Sequence, residues 1–164
     1  MMAFFASVEH NALSVWIRES PSLLAFPFIL FLHTLGLAML AGLNVGLDVW
    51  LLGRRTLPPF ELPNLYRVMW LGFGVNALSG LALLAAYPAK ALTNWVFFVK
   101  LLCIAIALWV LQRLKGELAG AADRDVGSRA RRLAFASLLL WTVTIFAGRL
   151  LAYTHHILLA SEGL

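Results

Sequence analysis

The chain has 164 residues, 62% of them hydrophobic and 13% charged, with a mean hydropathy of +0.85. That composition lies outside the range of soluble domains and fits four membrane spans with short connections, leaving no length for a separate soluble domain. The formal charge of +5 comes from basic residues that cluster beside the apolar runs, where they report membrane topology, so a nucleic-acid partner is excluded.

Residues 1–20 mix Phe4, Phe5, Val8, Leu13, Val15, Trp16 and Ile17 with Glu9, His10, Asn11 and Arg18. The segment is too mixed to cross a bilayer and reads as an interfacial helix, with Trp16 suited to the headgroup level. No Lys or Arg precedes Arg18, so the basic start of a cleavable signal is missing and the first span is expected to act as its own insertion signal. Pro21 ends the segment, Ser20 or Ser22 is available as a cap for the first span, and Pro27 stands near the start of that span, where it can kink the helix.

Residues 26–55, FPFILFLHTLGLAMLAGLNVGLDVWLLGRR, stay apolar for longer than a bilayer core requires, and span one is expected at 23–52. At about 100° per residue from His33, Asn44 falls near 20° and Asp48 near 60°, while Ala38, Gly42 and Gly46 fall at about 140° to 220°. One face is thus a polar stripe that must look into a protein interior. The other is a small-residue seam fit for close approach of a second helix, in this chain or in a partner.

Span two is expected at 68–87, where Gly72, Asn76 and Gly80 recur every four residues as a close-packing face. A tight turn at 88–94 leads to span three at 95–111, which contains Lys100, and span four is expected at 133–159. Residues 112–132 are the most polar stretch. Arg54, Arg55, Arg67 and the six basic residues of 112–132 all fall on one side, which makes that side cytoplasmic and places both termini at the periplasmic face of a bacterial inner membrane. Cys103 is the single cysteine, which excludes an internal disulfide and any multi-cysteine metal site.

Counting about 1.5 Å per residue from the basic ends of the spans, His33 lies about 28 Å up, Arg149 about 24 Å, His155 and His156 about 33 to 35 Å, and Lys100 about 18 Å. This gathers the basic groups in the outer half, as a cofactor or anion pocket would require. A b-type haem takes neutral imidazoles from facing helices as axial ligands, and its propionates take cations near a membrane surface. His33 supplies one ligand on this reading. The other is His156 if the face shared by Thr142 and Arg149 turns inward, or His155 if the face of Ser137, Thr144 and Gly148 does. Lys100 is an alternative ligand or charge partner, and Arg149 pairs a propionate. The same His33 and His156 are the candidates for a bare metal ion. The plainer alternatives are interhelical hydrogen bonding for His33, wet interfacial positions for His155 and His156, snorkelling for Lys100 and Arg149, a packing hydrogen bond for Asn76, and an ion pair of Asp48 with Arg54 or Arg55. No CxxCH, phosphate loop, HExxH, or Ser, His and acid set is present in the spans, so no catalytic residue is assigned.

The segments PFILFLHTLGLAMLAGLNVGLDVWLLG, VMWLGFGVNALSGLALL, LTNWVFFVKLLCIAIAL and AGRLLAY together resemble a family of bacterial four-span membrane proteins, a domain of unknown function. The resemblance implies the four-helix topology and marks His33, Asp48, Asn76, Lys100 and Arg149 as its recurrent polar positions. More distantly, a His in span one and a Lys in span three are similar to J-type protoporphyrinogen oxidases and to copper-resistance D-type membrane proteins. In the J-type family these positions are associated with haem b and catalysis, which maps onto His33 and Lys100. The chain departs from that family around 148–153, where its further polar residues are missing, so the oxidase activity is not carried over.

The sequence therefore predicts an all-α, four-span membrane bundle with an N-terminal interfacial helix, in which a b-type haem near the periplasmic face passes electrons, in exchange with a quinone. The competing expectations are a non-catalytic subunit or assembly factor of a larger membrane complex, or a homo-oligomer, joined through Ala38, Gly42 and Gly46, and a small metal or solute transporter.

Overall fold

In lipid a backbone amide has no water to turn to, and the chain meets that constraint with helices that close their own hydrogen bonds. The computed structural model describes residues 11–54, 56–58, 61–120 and 126–161, of which 13, 89, 90 and 152–161 are described by backbone alone. The elements are α1 (Ala12–Glu19), α2 (Phe26–Leu37), a π turn (Ala38–Gly42), α3 (Leu43–Gly53), α4 (Leu62–Ala86), α5 (Pro88–Leu92), α6 (Trp95–Ala119) and α7 (Ser128–Ser161). No strand occurs among the described residues. Four stretches are long and apolar enough to cross a membrane: Phe26–Gly53, Leu62–Ala86, Trp95–Ala119 and Ser128–Leu151. Phe31, Leu71, Leu78, Trp95, Leu102 and Phe146 stand out from the bundle among many other exposed apolar side chains, the exterior of a multi-pass membrane protein.

Span one (α2, the π turn and α3) has a different neighbour along each half. Its first half packs on span two (α4), and its second half packs on span four (α7). Spans three (α6) and four form the second close pair. Among the described residues, span two makes no comparable contact with spans three or four, so the two pairs join chiefly through α3.

Glycine sets the first pair. A Cβ on Gly36 would stand 2.6 Å from the Asn76 amide nitrogen and 2.7 Å from the Gly72 carbonyl oxygen, and one on Gly72 would stand 3.0 Å from the Gly36 oxygen. Backbone touches backbone there, which is how helices associate when lipid removes the hydrophobic drive between them. The expected Gly72, Asn76 and Gly80 face of span two is thus in use, and its counterpart on span one is Gly36. Ala38, Gly42 and Gly46 instead face outward, and a Cβ on Gly42 or Gly46 would meet nothing within 4 Å.

The π turn explains the change of neighbour. Each i→i+5 turn spends one extra residue, which offsets everything after it by about 100° relative to an unbroken α-helix. His33 and Asn44, which a uniform helix would place on one stripe, accordingly meet different spans. Pro27 causes no kink, because it sits in the first turn of α2, where its missing N–H has no helical acceptor to lose. The serines do not cap α2 either: Ser20 accepts from the Ser22 amide and Ser22 from the Leu24 amide.

The second pair runs further than hydropathy shows. Span three continues to Ala119 rather than ending near 111, and span four starts at Ser128 rather than 133. Helix propagation asks for hydrogen bonds and good helix formers, which Gln112, Lys115 and Glu117 are, and does not depend on lipid solubility. Leu111, Leu114 and Leu118 are buried with Val126, Ala130 and Ala134, and Glu117 pairs with Arg129 at 3.2 Å, so the polar extensions stay together. Lys100 consequently stands only five residues inside the far end of span three, level with His33 seven residues inside the far end of span one.

At that far end α1 lies on span two, with Ser14 donating to the Ala85 carbonyl at 2.9 Å, Ile17 buried and Trp16 exposed. This is the amphipathic arrangement expected of residues 12–19; residues 1–10 lie outside the described part. The turn at 88–94 holds the short helix α5, and Asn94 caps span three by accepting from the Val96 amide at 3.0 Å. At the other end Arg54, Arg113 and Lys115 lie over the rings of Trp50, Trp109 and Tyr66.

Gly36→Ala is expected to cost about 1–3 kcal/mol, since the new methyl must displace backbone. Gly42→Ala, in open space, is expected to be neutral or to gain up to about 1 kcal/mol of helix propensity. Unfolding of the two variants in the same detergent measures the difference, and equal losses would show that the close approach does not hold the pair together.

Candidate functional site

The far half of the bundle holds His33, Asn76, Ser79 and Lys100. His33 and Asn76 clamp each other across spans one and two. Asn76 Nδ2 donates to the His33 carbonyl at 2.7 Å, and His33 Nδ1 lies 3.0 Å from the Asn76 carbonyl oxygen. A carbonyl oxygen only accepts, so Nδ1 carries the hydrogen. Ser79 donates to the Val75 carbonyl at 2.6 Å, and its oxygen lies 3.3 Å from Nδ1. Gly80 provides the room: a Cβ there would have His33 Cε1 at 3.1 Å and Nδ1 at 3.4 Å, with Nε2 outside 4 Å. The ring thus rests its Nδ1 edge on span two, and in the neutral form its Nε2 keeps a lone pair turned off that surface.

Lys100 reaches the same region from span three. It is half-buried and lies along Gly148 of span four, where a Cβ would stand 3.6 Å from Nζ. The two groups therefore approach from the two helix pairs, across the half of the bundle where those pairs do not pack on each other.

The inward face of span four is the one bearing Ser137, Thr144 and Gly148. Ser137 and Thr144 are buried, whereas Thr142 and Arg149 are exposed, and Thr142 donates to the Leu138 carbonyl of its own helix. The condition that favoured His156 is therefore not met, and the face on which the sequence places His155 is the one turned inward. The side chains of His155 and His156 themselves lie outside the described residues. Arg149 is exposed and engaged in an interaction of its own.

The expected ion pair of Asp48 does not form with Arg54. Arg54 is exposed over Trp50, while Asp48 is 0% exposed and turned into the bundle with Asn44; Arg55 lies outside the described residues. Asn44 meets span four, accepting from Ser137 Oγ at 3.4 Å. Along the sequence Arg54 and Arg55 follow Asp48 closely and suggest an ion pair at the helix end, while nothing in the composition around Tyr66 or Trp141 marks them as its neighbours. The signal available was the register of Ser137 with Trp141 and Thr144 at intervals of four and three residues, one face of a helix.

The far-half donors fit a b-type haem in their chemistry. An imidazole whose Nδ1–H is held by a backbone carbonyl and whose Nε2 is free is the form in which histidine ligates a metal. Lys100 adds an amine or a positive charge. Among the described residues no three His, Cys, Asp or Glu side chains gather as a bare metal ion would require. No family model, curated protein or solved structure matches the chain.

Asn76→Ala is expected to cost about 1–2 kcal/mol, the upper range for a hydrogen bond between membrane helices. Nitrogen NMR of histidine-labelled protein, with His33→Gln to assign the signal, is expected to find Nδ1 protonated and Nε2 bare. A neutral ring protonated on Nε2 would contradict the geometry.

Proposed function

We propose that this multi-pass membrane protein holds a b-type haem in the half of the bundle away from its basic end and passes electrons through it. The observation that carries the reading is the posture of His33: Nδ1–H anchored on the Asn76 carbonyl and Nε2 without a hydrogen-bond partner among the described residues. His33 would hold the group, Lys100 or His155 would supply a second ligand, and Arg149, exposed near the same end, would pair a propionate. Such a group, when bound, takes up and gives back one electron. The chain's own contribution is to fix the imidazole tautomer, to hold a cation beside it and to exclude water by lipid and packed helices. The excess of Arg and Lys at the opposite end supports a cytoplasmic placement of that end, which puts the site on the periplasmic side of a bacterial inner membrane.

An absorption spectrum of protein expressed with ample haem, oxidised and then reduced with dithionite, tests this. A Soret band and a reduced α band that His33→Ala abolishes are the expected result, and a folded wild type without either band overturns the reading.

A second reading, a subunit of a larger membrane complex, is favoured by the outward face of Ala38, Gly42 and Gly46, which is open to a partner helix. If that face is an interface, Gly42→Leu with Gly46→Leu shifts the protein to a smaller assembly by mass analysis in detergent while leaving the fold intact. A wild type already monomeric in mild detergent and in lipid rules this reading out.

A further inference from the structure

The basic half of the bundle encloses a second polar centre that the haem reading does not use. Asp48 and Asn44 of span one and Ser137, Trp141 and Thr144 of span four are each 0–1% exposed, and Tyr66 of span two is 5% exposed. Among the described residues, both Asp48 carboxylate oxygens, Asn44 Nδ2, the Tyr66 hydroxyl, Arg131 Nε, Trp141 Nε1 and the Thr144 hydroxyl have no hydrogen-bond partner. Ser137 bridges span four to Asn44, and Tyr66 lies within electrostatic reach of Asp48. Both oxygens of a fully buried carboxylate without a partner are rare in folded proteins, where such groups are almost always paired.

The charge narrows what completes the site. Among the described residues no Lys or Arg pairs with Asp48: Arg54 lies over Trp50, Lys115 lies over the Tyr66 ring, and Arg131 turns its Nη2 to the Leu52 carbonyl at 3.1 Å, its Nε left without a hydrogen-bond partner. None is within ion-pair distance of Asp48. A partner subunit cannot reach a carboxylate with no exposed surface. Water satisfies hydrogen bonds but leaves the negative charge in a low-dielectric interior, where an uncompensated ion is not tolerated. The available donors are oxygens, from a carboxylate, an amide, hydroxyls and a phenol, with no sulfur or imidazole, which selects a hard cation. One carboxylate balances one positive charge.

We propose that Asp48, with Asn44, Ser137 and Tyr66, forms an intramembrane site for a small monovalent cation, either a proton or a sodium-sized ion, which neutralises the carboxylate inside the bundle. Trp141 and Thr144 extend the same inward face toward Gly148 and Lys100, so the polar line continues from this site toward the far half. The site is separate from His33, and its test does not depend on haem.

The experiment is thermal unfolding of the full chain in lipid nanodiscs. A cation that binds the folded state stabilises it by mass action. In choline chloride, the midpoint is followed as pH is lowered; at fixed alkaline pH, sodium chloride replaces choline chloride at constant ionic strength. The proposal expects a rise of a few degrees per tenfold increase in the bound cation over the range where the site fills, abolished in Asp48→Asn and displaced to higher cation activity in Ser137→Ala. A sodium-dependent rise identifies the metal ion, and a rise with falling pH alone identifies the proton. Midpoints insensitive to both, or dependences that survive in Asp48→Asn, overturn the proposal. Infrared spectra of the unmutated chain labelled with carbon-13 aspartate give a check that needs no variant. A protonated-carboxyl band, or a carboxylate band that moves with sodium, supports the site; aspartates all ionised and indifferent to sodium refute it.

Discussion

The backbone contact between Gly36 and Gly72 is the constraint on which the far half of the molecule depends. With Cβ atoms absent on both sides, spans one and two come close enough for Asn76 to reach the His33 carbonyl and for the His33 ring to reach back. Apolar area contributes little to this, because lipid would cover the same surface equally well. What holds the pair is contact at short range and two hydrogen bonds that the bilayer cannot replace. The posture of His33 is therefore a product of glycine placement, one glycine a single helical turn away and the other on the next span.

The π turn is the second determinant. A straight span one would present His33, Asn44 and Asp48 to a single neighbour and make one long polar seam. The extra residue at Ala38–Gly42 turns the lower half toward span four and divides that seam into two centres at different depths, one against span two and one against Ser137. One helix thereby serves two pairs, and direct contact of span two with span three is slight, Lys115 over the Tyr66 ring being one such contact.

Much of this was legible in the sequence. Four apolar stretches and a basic bias give the architecture, because solubility in lipid is a property of composition. The four-residue recurrence of Gly72, Asn76 and Gly80 gives the packing face, and an ionisable His33 or Lys100 inside a span marks itself. The misplacements have physical causes. A π turn has no composition of its own, so angles computed across it are offset for everything beyond Leu37. Hydropathy stops where lipid stops, so it missed that Leu114, Leu118 and Ala130 keep two polar helix ends paired. Gly36 carries no sequence signal of its own, because only its partner's backbone shows that it is needed. Nearness along the chain points Asp48 to Arg54 or Arg55, whereas burial depends on the neighbour that the π turn selects.

The division of span one between two pairs also orders the chain topologically. Spans one and two, and spans three and four, are neighbours in sequence, and pairing them closes only short loops, for which the entropic cost is small. The remaining joint is long-range: Asn44 meets Ser137 across 93 residues and Leu52 meets Arg131 across 79. Two hairpins are thus local structures, and the docking of α3 on span four is the single closure that needs the whole chain. That closure also seals Asp48 from its surroundings, so the most polar part of the interior becomes interior only when the last span is in place.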